Sequence, residues 1–127
     1  MSRRLLFLLP FPPDPEGLHG ASRMTGQLLE RLADRHEVAA LYLRAPEEPP
    51  IAPGLAARLA SSEAVGRPSL RAGAGIRRNG RRATGLLAGR PLWATDWRVP
   101  ELGRRMTSVV AEWRPDVVQA ELLVMGQ

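Results

Sequence analysis

The sequence predicts an α/β fold of the doubly wound, Rossmann-like kind, on three observations. Two short apolar runs, Leu5–Leu9 and Val38–Leu43, flank a segment with helical spacing. A third run opens at Pro115-Asp116 behind a second helical segment. Strand, helix and strand within about forty residues make a βαβ unit, which requires parallel strands and a crossover.

Each element follows from local chemistry. Residues 4–9 are continuously apolar and stop at Pro10, as a strand buried on both faces does. Pro10, Pro12, Pro13 and Pro15, with Gly17 and Gly20, make the next stretch a loop, and Ser22 is a candidate cap for the helix that follows. That helix is expected over 21–35, with Met24, Leu28, Leu29 and Leu32 on one face and Arg31 and Arg35 near its end, where cations suit the helix dipole. Residues 38–43 form the second strand. A proline-rich acidic loop follows over 44–53, then a short helix over 54–60 and a weak third strand over 63–67. The stretch 71–88 has spaced apolar positions, but Gly73, Gly75, Gly80 and Gly85 make it a poor helix. Residues 99–113 are a better one, with Leu102, Met106, Val109, Val110 and Trp113 on a shared face. A last strand is expected over 116–121, continuing toward Met125. The strands at 4–9, 37–43 and 116–121 are expected to be neighbours. The sequence reads as 1–127 of a domain that stops before it is complete.

Composition excludes several classes. There is no cysteine, so disulfides and thiolate metal sites are ruled out, and two histidines cannot build a metal site alone. No metal and no resident cofactor are expected. The N-terminal apolar run is too short for a signal sequence, and no stretch approaches a membrane span. The expected location is the cytoplasm, with peripheral membrane contact as the alternative. All 18 basic residues are arginine and the net charge is +5. Residues 67–105 hold ten arginines against Asp96 and Glu101, so the rest of the chain is net acidic. Trp93 and Trp97 lie within that segment. It reads either as a solvated face or as a basic surface for nucleic acid or anionic lipid.

Three places carry residues suited to chemistry. In open α/β sheets ligands gather beyond the carboxyl ends of strands, and a helix N-terminus attracts anions. His19, Gly20, Ala21 and Ser22 sit at that place after the first strand, although the dinucleotide pattern G-x-G-x-x-G is absent. Gln119 and Glu121 point to one face of the last strand by its two-residue period, with Glu121 near the carboxyl end. Asp116 reads as a turn or cap residue. Gly20, Ala21, Gln119 and Glu121 are expected to face one cleft.

The opening RRLLFLLPFPPDPEGLHGASRMTGQLLERLADRHEVAALYL resembles the start of glycosyltransferase family 4, the retaining sugar transferases of GT-B architecture. WRPDVVQAELLVMGQ resembles that family's strand behind a PDVV turn, and the GRP at Gly89–Pro91 recurs in one branch. The resemblance implies a two-domain enzyme. Its first half is Rossmann-like and holds the acceptor, a saccharide or lipid-linked group. Its second half, which this chain does not contain, holds most of the nucleotide-sugar donor and a pair of glutamates. The family's loop glycines near the diphosphate match Gly20 and, with a departure, Ala21. Gln119 and Glu121 stand where many members have histidines near the reacting sugar, which makes Glu121 the catalytic candidate. His19 and Ser22 belong to the same loop. The chain alone is expected not to transfer sugar. The alternative is a non-enzymatic basic module acting through 67–105, with nucleic acid the weaker of its partners.

Overall fold

A computed structural model of the protein describes residues 1–69, 75–91, 95 and 97–121. Trp93, Asp96 and the continuation of the last strand toward Met125 lie outside the described residues, as does the start of the helix expected from 71. Four strands form one parallel sheet: β1 (Arg4–Leu9), β2 (Glu37–Arg44), β3 (Ser61–Gly66) and β4 (Val117–Ala120), in the order β3-β2-β1-β4. Helices α1 (Gly20–Ala33), α2 (Pro53–Arg58), α3 (Gly75–Leu87) and α4 (Pro100–Trp113) complete the described elements. This is an α/β, Rossmann-like arrangement.

The registers explain why β1 and β2 read as unbroken apolar runs. Leu5 faces Val38 and Leu9 faces Tyr42 across the ladder. Alternate residues then serve two cores. Phe7, Leu9, Val38, Ala40 and Tyr42 pack with Leu29 of α1 and Leu55 of α2. Leu6, Leu8, Ala39, Leu41 and Leu43 pack with Val65 on the other face, against Trp97, Val99, Leu102, Met106, Val109 and Trp113. A strand covered on both sides has no solvent face to mark with polar residues.

The α1 stripe differs from the expected one. Its buried positions are Ser22, Thr25, Gly26 and Leu29, while Met24 and Leu28 are exposed at 65% and 41%. The reason is the loop before it, which lies against α1 and takes the place of a second apolar layer. Ser22 is inside the helix and does not cap it; its hydroxyl donates to the carbonyl of Pro12 at 2.8 Å. The α1 N-cap is His19, with no side-chain cap bond. Gly26 is where loop and helix meet: a Cβ there would run into the nitrogen of Pro15 and lie 2.5 Å from the carbonyl carbon of Asp14.

α3 forms despite its glycines because its end is well closed. Gly89 has φ +72°, its N–H donates to the carbonyl of Leu86, and the N–H of Arg90 reaches that of Gly85. That pair of bonds is the Schellman closure, which glycine permits at no steric cost. β4 is joined to β1 by Asp116, whose Oδ2 accepts the N–H of Arg4 at 2.8 Å while its own N–H donates to the carbonyl of Arg4. Asp116 is thus a structural residue at the ladder's start.

Candidate functional site

The loop from Phe11 to His19 is fastened to α1 by side chains of the helix. Arg23 Nε donates to the carbonyl of Gly17 at 3.0 Å and Gln27 Nε2 to that of Pro15 at 3.2 Å. Within the loop, Asp14 Oδ1 accepts the N–H of Glu16 at 2.9 Å, and the Asp14 carbonyl accepts that of Gly17. A loop held this way keeps its shape when a ligand arrives, so binding spends little on ordering it.

A second wall comes from the loop after β2. Glu48 Oε2 accepts the N–H of Ala45 at 2.7 Å, and its Oε1 accepts from Arg67 Nη2 at 3.0 Å. Arg67 follows β3 and lies over the Trp97 ring, 4.8 Å from its centroid. The Arg67 side chain is only 10% exposed, and its Nε hydrogen is buried without an acceptor in the protein. Such an unmade bond costs about 1–3 kcal/mol. The cation–π contact, about 0.5–2 kcal/mol, and the partly buried ion pair offset it. Trp97 is therefore pinned by a guanidinium that is itself pinned.

Between the two walls, at the carboxyl ends of β1 and β2, lies a cavity of about 460 Å³. Phe11, Pro12, Leu18, Pro49 and Pro50 give it apolar lining, and Asp14, Glu16, His19, Glu48 and Trp97 give it polar and aromatic groups. The size suits one small organic ligand. The N-terminus of α1 opens beside it, with no acidic residue in the first turn.

Of the residues expected from the sequence, His19, Ala21 and Ser22 line this cavity. Gly20 begins α1 next to them, and a Cβ there would meet nothing within 4 Å, so the helix itself does not require glycine. Gln119 and Glu121 do not join them. They share a face, as the two-residue period predicts, but line a separate hollow of about 240 Å³ with Leu5, Phe7, Leu28 and Val117. Strand register is the reason: Gln119 pairs with Phe7, in the middle of β1 rather than beyond its end, and its face of the sheet is the α1 face. Glu121 extends the ladder by donating its N–H to the carbonyl of Leu8 at 3.0 Å. Sequence reasoning missed Glu48 and the place of Trp97. Both lie in segments without periodicity, and what joins them is Arg67, which pairs with Glu48 and covers the Trp97 ring from a distant place in the chain.

Among the described residues no three His, Asp or Glu side chains come together to hold a metal ion, and no helix is long and apolar enough to cross a membrane. Comparison with protein-family models, curated proteins and solved structures finds no match.

Proposed function

We propose that this chain is the acceptor-side, Rossmann-like part of a glycosyltransferase that moves a sugar from a nucleotide-sugar to a saccharide or lipid-linked acceptor. The observation that carries the reading is the cavity at the carboxyl ends of β1 and β2, walled by the fastened loop and by Trp97. The indole ring offers an apolar face to the C–H groups of a pyranose, and the carboxylates of Asp14, Glu16 and Glu48 offer acceptors to its hydroxyls. Those same carboxylates repel a diphosphate, which belongs instead at the His19–Ala21 end. There the uncapped N-terminus of α1 supplies positive potential. Stabilising the departing diphosphate is the main electrostatic need of such a transfer. Gln119 and Glu121, in their separate hollow, take no part in this arrangement.

The basic-module alternative draws less support. Arg67, Arg104 and Arg105 are engaged with Glu48, Glu101 and Glu63, which removes three of the ten arginines of 67–105 from a phosphate-binding face.

Chemical-shift mapping with a panel of methyl glycosides and nucleotide-sugars tests the reading. The expected result is movement of the Trp97 indole N–H and of the amides of 14–22 in the native protein, the amide movement being weakened in Trp97→Phe and abolished in Trp97→Ala variants that keep the native circular dichroism spectrum. A panel that leaves these signals in place, or that moves only those of Val117–Glu121, rejects the cavity as the sugar site.

A further inference from the structure

The helix α3 is turned the wrong way round for a surface helix. Such a helix ordinarily buries its apolar stripe and shows its charges to water. In α3 the buried residue is Gly85, a Cβ on which would run into the side chain of Thr95, and Arg78, Arg81 and Arg82 are half-buried. Ile76 and Leu87, by contrast, are 92% and 89% exposed, and Leu86 58%. At about 3.6 residues per turn, Ile76, Ala83 and Leu87 fall on one line along the helix, with Leu86 at its flank. Ala83 is exposed as well.

The charge on this helix indicates what covers that stripe. Arg77, Arg78, Arg81 and Arg82 belong to it and no acid does. Arg77 and Arg81 border a shallow hollow with Pro68, Gly80 and Thr84 on one side of the stripe. An apolar line flanked by arginine is the pattern of a helix that lies in a bilayer interface, its apolar side chains below the headgroups and its guanidinium groups among the phosphates. A nucleic acid would use the arginines and leave Ile76 and Leu87 in water. We infer that α3 docks this protein on the surface of an anionic lipid bilayer, through Ile76, Leu86 and Leu87 with Arg77 and Arg81 at the rim. The inference is independent of the sugar-transfer reading, since no residue of α3 lines the cavity beside Trp97.

Vesicle flotation with the whole chain is the test, using phosphatidylcholine with and without phosphatidylglycerol. The protein is expected to float with the anionic vesicles and to remain below with phosphatidylcholine alone. Ile76→Asp combined with Leu87→Asp should lower partitioning by about tenfold or more, the effect of withdrawing two apolar side chains from the interface. Arg77→Gln with Arg81→Gln should lower it by about twentyfold at low salt. Both pairs include exposed positions, and circular dichroism checks that the variants fold. No flotation, equal flotation with both lipids, or flotation unchanged in the Asp pair overturns the proposal. So does a chain that elutes as a dimer and becomes monomeric in the Asp pair, which would make the stripe an interface between copies. Tighter binding to duplex DNA than to anionic vesicles, lost in the Gln pair and kept in the Asp pair, overturns it as well.

Discussion

Two glycines and one arginine show how single residues set this structure. Gly26 has no room for a Cβ, because the backbone at Asp14 and Pro15 lies against it. Gly80, within α3, has open space around it. Alanine raises helix propensity by about 1 kcal/mol over glycine at either place. At Gly80 that gain stands alone, so Gly80→Ala should raise the unfolding midpoint in urea. At Gly26 the gain is outweighed by overpacking against backbone, typically about 1–3 kcal/mol. Gly26→Ala should therefore lower the midpoint, and it should also shift the amides of 14–19 by pushing the loop off the helix. Arg114 holds the left-handed conformation, with φ 51° and ψ 65°, at the end of α4. An L-residue pays about 1–2 kcal/mol there. Arg114→Gly should stabilise the protein by about 0.5–1 kcal/mol once glycine's greater freedom in the unfolded chain is counted. Thermal unfolding that shows no gain would mean that the arginine side chain makes up the difference. None of these roles was legible from the sequence. Gly26 stands mid-helix with nothing local to mark it, whereas Gly20, chosen for its place in the loop, proves sterically free.

Whole elements were more legible, for a physical reason. β1 occupies the residues 4–9 that its apolar run predicts; β2 and the neighbouring position of β4 also agree. Burial on both faces writes itself into the sequence as a run that needs no partner to be recognised. β3 starts two residues before the expected 63–67 and ends one residue before it, because Ser61 and Ser62 carry no apolar signal and only Val65 among its residues is buried. What holds β3 to α4 is a contact between elements: Arg105 Nε and Nη2 donate to Glu63 Oε1 and Oε2 at 2.6 and 2.8 Å. The hydrogen bonds and the charge of Arg105 keep the Glu63 carboxyl below its ordinary range, against the opposing effect of burial. A carboxyl whose folded pKa is depressed contributes stability above its unfolded pKa and loses it as the pH falls through the folded value. The pair is part-exposed, so the effect is modest. Arg105→Gln should bring the Glu63 carboxyl back up toward its ordinary range, read from its side-chain carbon shift during a pH titration. It should also flatten the acid side of the stability profile. An unmoved Glu63 titration would show that the fork is not formed in solution.

Across the molecule, stability is expected to grade from the sheet's centre to its β4 side. β2 is buried on both faces from Val38 to Leu43, and β1 from Leu6 to Leu9. Every residue of β4 is exposed, Val117 and Val118 at 42% and 43%, and α4 has no fully buried residue. Local opening needs least free energy where few apolar contacts are lost. Hydrogen exchange should therefore find the slowest amides in β1 and β2, exchanging through global unfolding, and faster ones in β4. The same measurement separates the two hollows that the sequence had merged into one cleft. The cavity beside Trp97 is built from the fastened loop, the first turn of α1 and the turn at Glu48, all attached to the stable centre. The hollow of Gln119 and Glu121 is attached to the weak side. A bound ligand stabilises only the states that keep its site intact, by an amount set by its concentration over its Kd. A methyl glycoside in the Trp97 cavity should slow exchange at 14–22 and around Glu48, and leave 117–121 as fast as before. Protection that appears instead at 117–121 would place the glycoside in the hollow of β4, beside Glu121, and reject the Trp97 cavity as its site.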